Sequence, residues 1–294
     1  MCYIRKKYTS EELRAYSTLF SRNCINSVFL RNDFSFINFC IKKYDNRAFT
    51  CNRTYEEYYN YAYKVLSKQY NNEYFYKNEF INSVFKKIAE HEKTGIFNEF
   101  RIMSTIADIV CFNGHSTAYE IKTELDNSER LDGQLNEYSR LFNEVNVVVP
   151  ESKASEYRRL HPEIGIILFD KNRRTFSRAR EASINYTTDA KLVMQVLHTR
   201  EYRSIAKAYY GEDALDKVND FTQFKVCSRL IEEIPASKLN TLFVQTLKKR
   251  AGVQRFFPKR YSLFNQALLA KRFDPSFKQA VEGQLNRNIN IQKQ

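Results

Sequence analysis

Two short apolar runs joined by an Asn-Gly pair constrain the fold of this chain more than any other feature. Residues 106–112 are apolar apart from one aspartate, Asn113-Gly114 follows, and residues 117–123 form a second run. Asn-Gly between two such runs is a strong signal for the turn of a β-hairpin. We therefore predict two antiparallel strands, and with them a β-sheet, in a chain whose other long segments have helical periodicity.

Helical patterns fill the segments on both sides of this hairpin. Thr9 and Glu12 form a capping-box pattern at the start of the first predicted helix, and helices continue to about residue 92. Beyond the hairpin we predict helices at 128–142 and 152–160, strands at 146–149, 164–169 and 174–178, and further helices from 185 onward, among them 215–231 and 238–250 with Ser237 as N-cap. This order predicts an α/β (α+β) fold in which helices flank a mixed sheet.

These patterns divide the 294 residues into three parts. We predict a helical N-terminal region over 1–95, an α/β core over 96–180 and a helical, basic C-terminal region over 181–294. The net charge is +13, and residues 235–294 alone hold 12 Lys and Arg against 2 Asp and Glu. Such an excess indicates a polyanionic partner, with a basic solvated surface as the alternative.

Missing motifs exclude several common classes of protein. Neither GxxxxGK[ST] nor GxGxxG occurs, which excludes ATP motors, GTPases and dinucleotide enzymes of the ordinary kind. None of the 6 cysteines forms a CxxC pair, which disfavours a zinc ribbon. The opening residues lack the signal-peptide pattern and no run of 18 apolar residues occurs, so we expect a cytoplasmic protein without a membrane span, whose cysteines are reduced and buried.

Three charged residues interrupt the apolar runs of the hairpin. Asp108 lies in the first run, and Glu120 and Lys122 lie two residues apart in the second, so both of these side chains leave the same face. A buried carboxylate is costly unless it is paired or binds a metal. In an antiparallel hairpin, the numbers of the two residues in each cross-strand pair add up to the same constant. Asp108 stands opposite Glu120 only if that constant is 228. That sum requires a loop of odd length, such as 113–115, or a bulge.

Two carboxylates and a lysine that converge suit a hard divalent cation. Mg²⁺ binds through one or two carboxylates, keeps several waters and contacts phosphate oxygens. The lysine can then orient or help to deprotonate the attacking water, or neutralise the charge that develops on the phosphorane. The alternative interpretation is an exposed ion pair between Glu120 and Lys122 on the strand.

This arrangement resembles the PD-(D/E)XK nuclease superfamily. Ala107-Asp108 is followed after eleven residues by E-I-K at 120–122, with an alanine where the name-giving proline would stand. Downstream, Gln134 and Tyr138 form a QxxxY pattern similar to that of the RecB-type and Cas4-type branch. The resemblance covers roughly residues 96–180 and implies a restriction-endonuclease-like mixed sheet flanked by helices.

The resemblance also implies a role for each residue of the site. Asp108, Glu120 and the main-chain carbonyl of Ile121 would bind Mg²⁺ or Mn²⁺. Lys122 would be the catalytic lysine. Glu99 stands where the superfamily has a helical acidic residue and would support the metal or the water; its alternative is a solvated position on a helix.

Substrate binding would involve a second set of residues. The resemblance implies that Gln134 and Tyr138 hold the substrate phosphates or support the residues of the site; the alternative for Tyr138 is a place in the helix core. Arg130 is a candidate phosphate contact or an ordinary surface arginine. The basic cluster at the end of the last long helix is our candidate platform for DNA, and it comprises Lys248, Lys249 and Arg250.

The function implied by the resemblance is metal-dependent hydrolysis of phosphodiester bonds in DNA, in repair, recombination or anti-phage defence. Two alternatives stay open. One is a non-catalytic DNA-binding or interaction protein on the same fold, and the other is an RNase that uses the same site. A homodimer or a partner protein is compatible with the sequence.

Overall fold

The computed structural model describes residues 7–46, 49, 53–70, 72–86, 88, 94–127 and 129–290. Within these ranges six strands form one sheet, and they lie side by side in the order of the chain. The strands are β1 Gly95–Ile102, β2 Thr105–Asn113, β3 His115–Ile121, β4 Glu144–Pro150, β5 Gly165–Asp170 and β6 Thr175–Arg180.

Helices precede, interrupt and follow the sheet. The described helices are α1 Ser10–Leu19, α2 Arg22–Arg31, α3 Ser35–Cys40, α4 Tyr55–Gln69, α5 Glu73–Phe80, α6 Leu131–Leu141, α7 Ala154–Tyr157, α8 Ala190–Val196, α9 Thr199–Tyr210, α10 Gln223–Glu232, α11 Ala236–Ala251, α12 Asn265–Ala270 and α13 Pro275–Leu285. Two of them, α3 and α5, continue as π-helical turns, Ile41–Asp45 and Ile81–Phe85.

The strand directions make the sheet mixed. β1, β2 and β3 are antiparallel neighbours, β3, β4 and β5 run parallel, and β6 returns antiparallel to β5. Parallel neighbours need a crossover connection, which α6 supplies between β3 and β4. The predicted α/β class, with a mixed sheet flanked by helices, is therefore confirmed. The carboxyl ends of β3, β4 and β5 lie at one edge of the sheet.

Two apolar cores cover the two faces of the sheet. Helices α1–α5 and residues 257–289 pack on one face, and α6 with α8–α11 packs on the other. The N-terminal and C-terminal segments thus share one layer, where the ring of Phe29 lies 5.1 Å from that of Phe264 and 5.9 Å from that of Phe277. The sheet is the middle of three layers, so both faces of its central strands β3 and β4 are buried, whereas β6 at its edge is largely exposed.

The predicted capping box at the start of α1 is present in the structure. The Thr9 side chain accepts from the Glu12 amide while the Glu12 carboxylate accepts from the Thr9 amide, which confirms the capping box. The four described cysteines, Cys24, Cys40, Cys111 and Cys227, are buried, as predicted, and Cys24, Cys40 and Cys227 are free; Cys2 and Cys51 lie outside the described residues. None of the described helices has the length and apolar character needed to cross a membrane.

Two predictions of local structure were wrong, and one strand was missed. Residues 95–102 were not predicted as a strand, yet they form β1. Their sequence lacks the alternation of apolar and polar residues typical of a strand, and hydrogen bonds to β2 stabilise the strand instead. Helix α11 begins at Ala236 with Pro235 as N-cap, so Ser237 lies in the first turn instead of capping it. The helix expected over 215–231 begins only at Gln223.

Candidate active site

The hairpin has the register that the predicted site requires. Paired residues of β2 and β3 sum to 228, from Ile109 with Tyr119 to Asn113 with His115. Gly114 occupies the tip with φ +73°, a left-handed conformation that glycine adopts without a steric penalty. The expected loop of odd length is confirmed, and Asp108 therefore stands at the position across from Glu120.

The regular alternation of side chains breaks at Asp108. In β2, Ile109 belongs to the core beneath α1–α5, and Ala107, two residues earlier, belongs to the opposite core. A regular strand would place these two on one face. In β1 the same change occurs around Glu99, which has a left-handed φ of 54°. Asp108 consequently lies where the strands change faces, and its carboxylate contacts Lys77 in the layer of α1–α5 and the Ile121 amide next to Glu120.

Glu120 is held from the side of α6. Its carboxylate accepts from Lys122 Nζ at 2.9 Å and from the Tyr138 hydroxyl at 3.0 Å, and the residue is only 3% exposed. Lys122 Nζ also donates to Gln134 Oε1 at 3.3 Å. The spacing of four residues puts Gln134 and Tyr138 one turn apart on the same face of α6. The QxxxY pattern thus fixes both the carboxylate and the lysine of the E-I-K segment.

Asp108 is held from the opposite layer. Lys77 Nζ, on α5, donates to Asp108 Oδ1 at 2.7 Å, and the Ile121 amide donates to Asp108 Oδ2 at 2.8 Å. The Lys77 side chain is 4% exposed and also pairs with Glu73, one turn earlier on the same helix. The site therefore contains two lysines, one for each carboxylate of the hairpin.

Sequence reasoning missed Lys77, although a signal was present. A Glu73–Lys77 pair at i,i+4 is typical of a solvated helix face. However, Lys77 precedes Phe80 by three residues and Ile81 by four, so it lies on their buried stripe. A lysine on an apolar stripe requires a buried carboxylate as partner, and Asp108 is such a carboxylate.

Burial and mutual repulsion shift the titration of these groups. Burial, followed by the charge of Asp108, raises the pKa of Glu120 to about 7, against the opposing effects of Lys122 and Tyr138. Burial also raises the pKa of Asp108, although Lys77 opposes it. Burial acts to lower the pKa of Lys77, but the charges of Asp108 and Glu73 outweigh it and raise that pKa above its usual value. Lys77 is therefore a permanent cation.

The donor set fits a cation bound mainly by water and two carboxylates. The described residues contain no group of three or more His, Cys, Asp or Glu placed to hold a metal. The charge of Asp108 nevertheless adds to the effect of burial in raising the pKa of Glu120, and a divalent cation between two carboxylates relieves repulsion of this kind. Mg²⁺ is commonly bound by one or two carboxylates with waters completing its shell, so the two residues meet its requirement.

Comparison with known proteins places the chain in a family. The family described as Bacteriophage P4 protein cII matches residues 67–279, more than two thirds of the chain. The chain belongs to this family. Protein cII of Enterobacteria phage P4 is 34% identical over 95 residues, which are 31% of this chain and 36% of that protein. The chain thus spans about a third of the length of the curated relative it matches.

A solved structure also aligns with part of the chain. It is the SPO1766 protein of unknown function from Silicibacter pomeroyi, with a TM-score of 0.30 and 17% identity, over 44% of this chain and 90% of that chain. The region matched by the cII family begins before Lys77 and ends within α13, so it contains every residue of the site described above.

Glu99 does not lie on a helix, contrary to our prediction. It is an exposed residue of β1, between Asn98, which pairs with Ile109, and Phe100, which pairs with Ala107. This register puts Glu99 across from Asp108 on the outer strand. Glu99 lines a cavity of about 480 Å³ beside β1, together with Arg101, Met103, His198, Arg250 and Arg272, among others.

The basic cluster begins beside the first residue of β1, and Arg250 reaches the cavity that Glu99 lines. Lys248 packs its backbone against Gly95, the first residue of β1, and the level of Asp108 is reached four residues later, about 13 Å along the strand. Arg250 is not a free cation. Its Nε donates to Glu201 Oε1 at 2.7 Å, and its guanidinium also reaches the Val196 carbonyl. Of this cluster, Lys249 is exposed and Lys248 is half-buried.

The two remaining candidates lie at the start and in the middle of α6. Arg130 is exposed at the N-cap of α6, and its carbonyl accepts from the Gln134 amide at 3.2 Å. Tyr138 is fully buried, and besides Glu120 it donates to the Ile106 carbonyl at 2.8 Å. Of the two roles predicted for Tyr138, the geometry favours support of Glu120 over contact with substrate.

Proposed function

We propose that this chain is a metal-dependent nuclease that hydrolyses phosphodiester bonds in DNA. The observation that carries the proposal is the convergence of Asp108 on β2, Glu120 on β3 and Lys122 directly after β3 with the Gln134 and Tyr138 pair of α6. Three buried, free cysteines, Cys24, Cys40 and Cys227, are compatible with a reducing, cytoplasmic setting, which we propose with it.

The residues of the site would divide the work as follows. Asp108 and Glu120, with the Ile121 carbonyl, would hold Mg²⁺ or Mn²⁺, which supplies Lewis-acid stabilisation of a phosphate oxygen. The Lys122 side chain is 14% exposed, so it is mostly buried beside Glu120. Its ammonium would orient water or neutralise the charge that develops on the phosphate. Gln134 would hold Lys122 in place.

A second candidate is favoured by one specific observation. All four oxygens of Asp108 and Glu120 accept a hydrogen bond from the protein, and a lysine neutralises each carboxylate without any metal. A closed arrangement of this kind suits a non-catalytic DNA-binding protein that keeps the fold as a scaffold. The two candidates differ in whether Asp108 and Glu120 bind a divalent cation.

A cleavage assay on matched DNA and RNA substrates tests both candidates. Cleavage in Mg²⁺ or Mn²⁺, but not in Ca²⁺ or EDTA, is the expected result for wild type, with DNA as the substrate. Lys122→Ala should lower the rate by about 10²–10³, the cost of one preorganised electrostatic group, while Lys64→Ala, an exposed lysine of α4, should leave it unchanged.

Calorimetric titration with Mn²⁺ supplies the second measurement. Asp108→Asn and Glu120→Gln should each abolish Mn²⁺ binding while circular dichroism shows a folded protein. Equal Mn²⁺ affinity in wild type and both variants would contradict the assignment of Asp108 and Glu120 as metal ligands. DNA binding without cleavage would then favour the scaffold, and cleavage of RNA alone would identify the substrate as RNA.

A further inference from the structure

Lys77 is shared between two carboxylates that belong to different parts of the fold. Asp108, its partner in the sheet, is 15% exposed at its side chain, and Glu73, its partner on α5, is 60% exposed. Both partners are in contact with the same ammonium group. A lysine ammonium has three donors, so it can keep one partner when it gives up the other.

A divalent cation on Asp108 would compete directly with this lysine. Lys77 Nζ occupies Asp108 Oδ1 at 2.7 Å, and the Ile121 amide occupies Oδ2. A second cation within a few ångströms of a buried ammonium is strongly repelled, because the low dielectric of the interior screens the charges poorly. The metal and the ammonium group therefore compete for this carboxylate, and binding of one weakens binding of the other.

We propose that Lys77 is an internal cation that neutralises Asp108 in the absence of metal and is retained by Glu73 alone when a divalent cation takes Asp108. The inference rests on the proposed function, since it concerns the same metal. It makes α5, which lies outside the predicted core over 96–180, a component of the site. Lys77 is a positioning residue in this scheme, and Glu73 determines how readily it leaves Asp108.

The two partners predict shifts of opposite sign in metal affinity. Lys77→Met removes the competing charge at similar length, and Mn²⁺ affinity should rise about tenfold. Glu73→Gln removes the alternative partner, so Lys77 should hold Asp108 more firmly and Mn²⁺ affinity should fall about threefold or more. A purely structural role for the pair would weaken metal binding in both variants or change it in neither.

The experiment is calorimetric titration of Mn²⁺ into wild type, both variants and two controls at fixed pH. Lys64→Met is the control for Lys77→Met, and Glu11→Gln is the control for Glu73→Gln, because Glu11 is an exposed glutamate paired with Lys43. Both controls should bind Mn²⁺ as wild type does. Circular dichroism checks folding, and if Lys77→Met does not fold, the sign of the change in Glu73→Gln alone decides.

The possible results separate this inference from the proposed function. Opposite shifts in the two variants support it. Unchanged affinity in Glu73→Gln, or lower affinity in Lys77→Met, overturns it; if Asp108→Asn still abolishes binding, the nuclease proposal stands. Absence of Mn²⁺ binding in wild type and in Lys77→Met alike overturns both.

Discussion

Protonation of Glu120 controls the charge of the site at neutral pH. Three carboxylates, those of Glu73, Asp108 and Glu120, face two lysines, so the fully ionised cluster carries one excess negative charge. The pKa of Glu120 is raised to about 7, whereas an unfolded glutamate titrates at about 4.3. Between these values the folded protein holds a proton that the unfolded chain has released. Stability is therefore lost as the pH rises through this interval.

The stability of the metal-free protein should depend on pH through Glu120. In EDTA, the free energy of unfolding of wild type should fall by up to about 3 kcal/mol between pH 5 and pH 8 through Glu120, since each unit of pKa shift is worth about 1.4 kcal/mol. Glu120→Gln has no such proton to lose and should lack this part of the slope. Urea unfolding at pH 5, 6, 7 and 8 measures the difference; parallel curves for the two proteins would contradict the prediction.

The affinity for a divalent cation should also depend on pH through Glu120. A divalent cation requires the ionised carboxylate and so competes with the proton on Glu120. With a pKa of about 7, the ionised fraction rises about tenfold from pH 6 to pH 8, and Mn²⁺ affinity should rise about tenfold with it. Calorimetry in two buffers of different ionisation enthalpy also reports the proton released. The prediction fails if affinity is independent of pH and no proton is released.

At the scale of elements, the sequence predicted those features of the site that local rules determine. The Asn-Gly signal located the hairpin, and residue parity required either a loop of odd length, which the structure has, or a bulge. β1 escaped prediction because its segment carries Asn98, Glu99 and Arg101 among apolar residues, and only pairing with β2 makes it a strand. Lys77 escaped because its partner lies 31 positions away in the sheet.

At the basic end of α11, Arg250 and Lys249 should differ in what they contribute to stability and to DNA binding. Arg250 and Glu201 are mostly buried, at 15% and 17% exposure, and breaking such a pair leaves an uncompensated charge. Arg250→Ala should therefore cost about 2–3 kcal/mol of stability and leave the salt dependence of DNA affinity unchanged. Lys249→Ala, on the exposed side, should leave stability unchanged and flatten the log–log salt slope by about 0.9 if it contacts a phosphate.

A salt titration of DNA affinity in Ca²⁺, combined with urea unfolding, separates these effects. Lys249→Ala with a wild-type slope would show that this helix end is not the DNA platform. Arg250→Ala with full stability and a flatter slope would show that the ion pair with Glu201 does not hold it in solution.

At the scale of the whole molecule, the sheet connects segments that the sequence separates. The first helices and the last ones lie in one layer: the Tyr55 amide donates to the Arg287 carbonyl at 3.1 Å, and Arg260 pairs with Glu56. The division at residues 95 and 180 follows sequence patterns and stays a prediction about the chain. A layer built from both ends of the chain predicts that these ends unfold together.

Phe264 is the residue on which this layer can be tested. Its ring is fully buried and lies 5.1 Å from that of Phe29 and 5.0 Å from that of Tyr59. Phe264→Ala should lower the free energy of unfolding by about 3–5 kcal/mol, the usual cost of truncating a buried phenylalanine. Phe224→Ala is the control, because Phe224 is half exposed, and it should cost less than about 1 kcal/mol.

Hydrogen exchange then shows whether the effect crosses the molecule. If the two ends form one cooperative unit, Phe264→Ala should accelerate amide exchange in α4 as much as in α12 and α13, because exchange through global opening follows the same free energy everywhere. Faster exchange confined to α12 and α13 would mean that the C-terminal segment opens alone. The N-terminal helices, including α5 with Lys77, would then keep their position against the sheet without it.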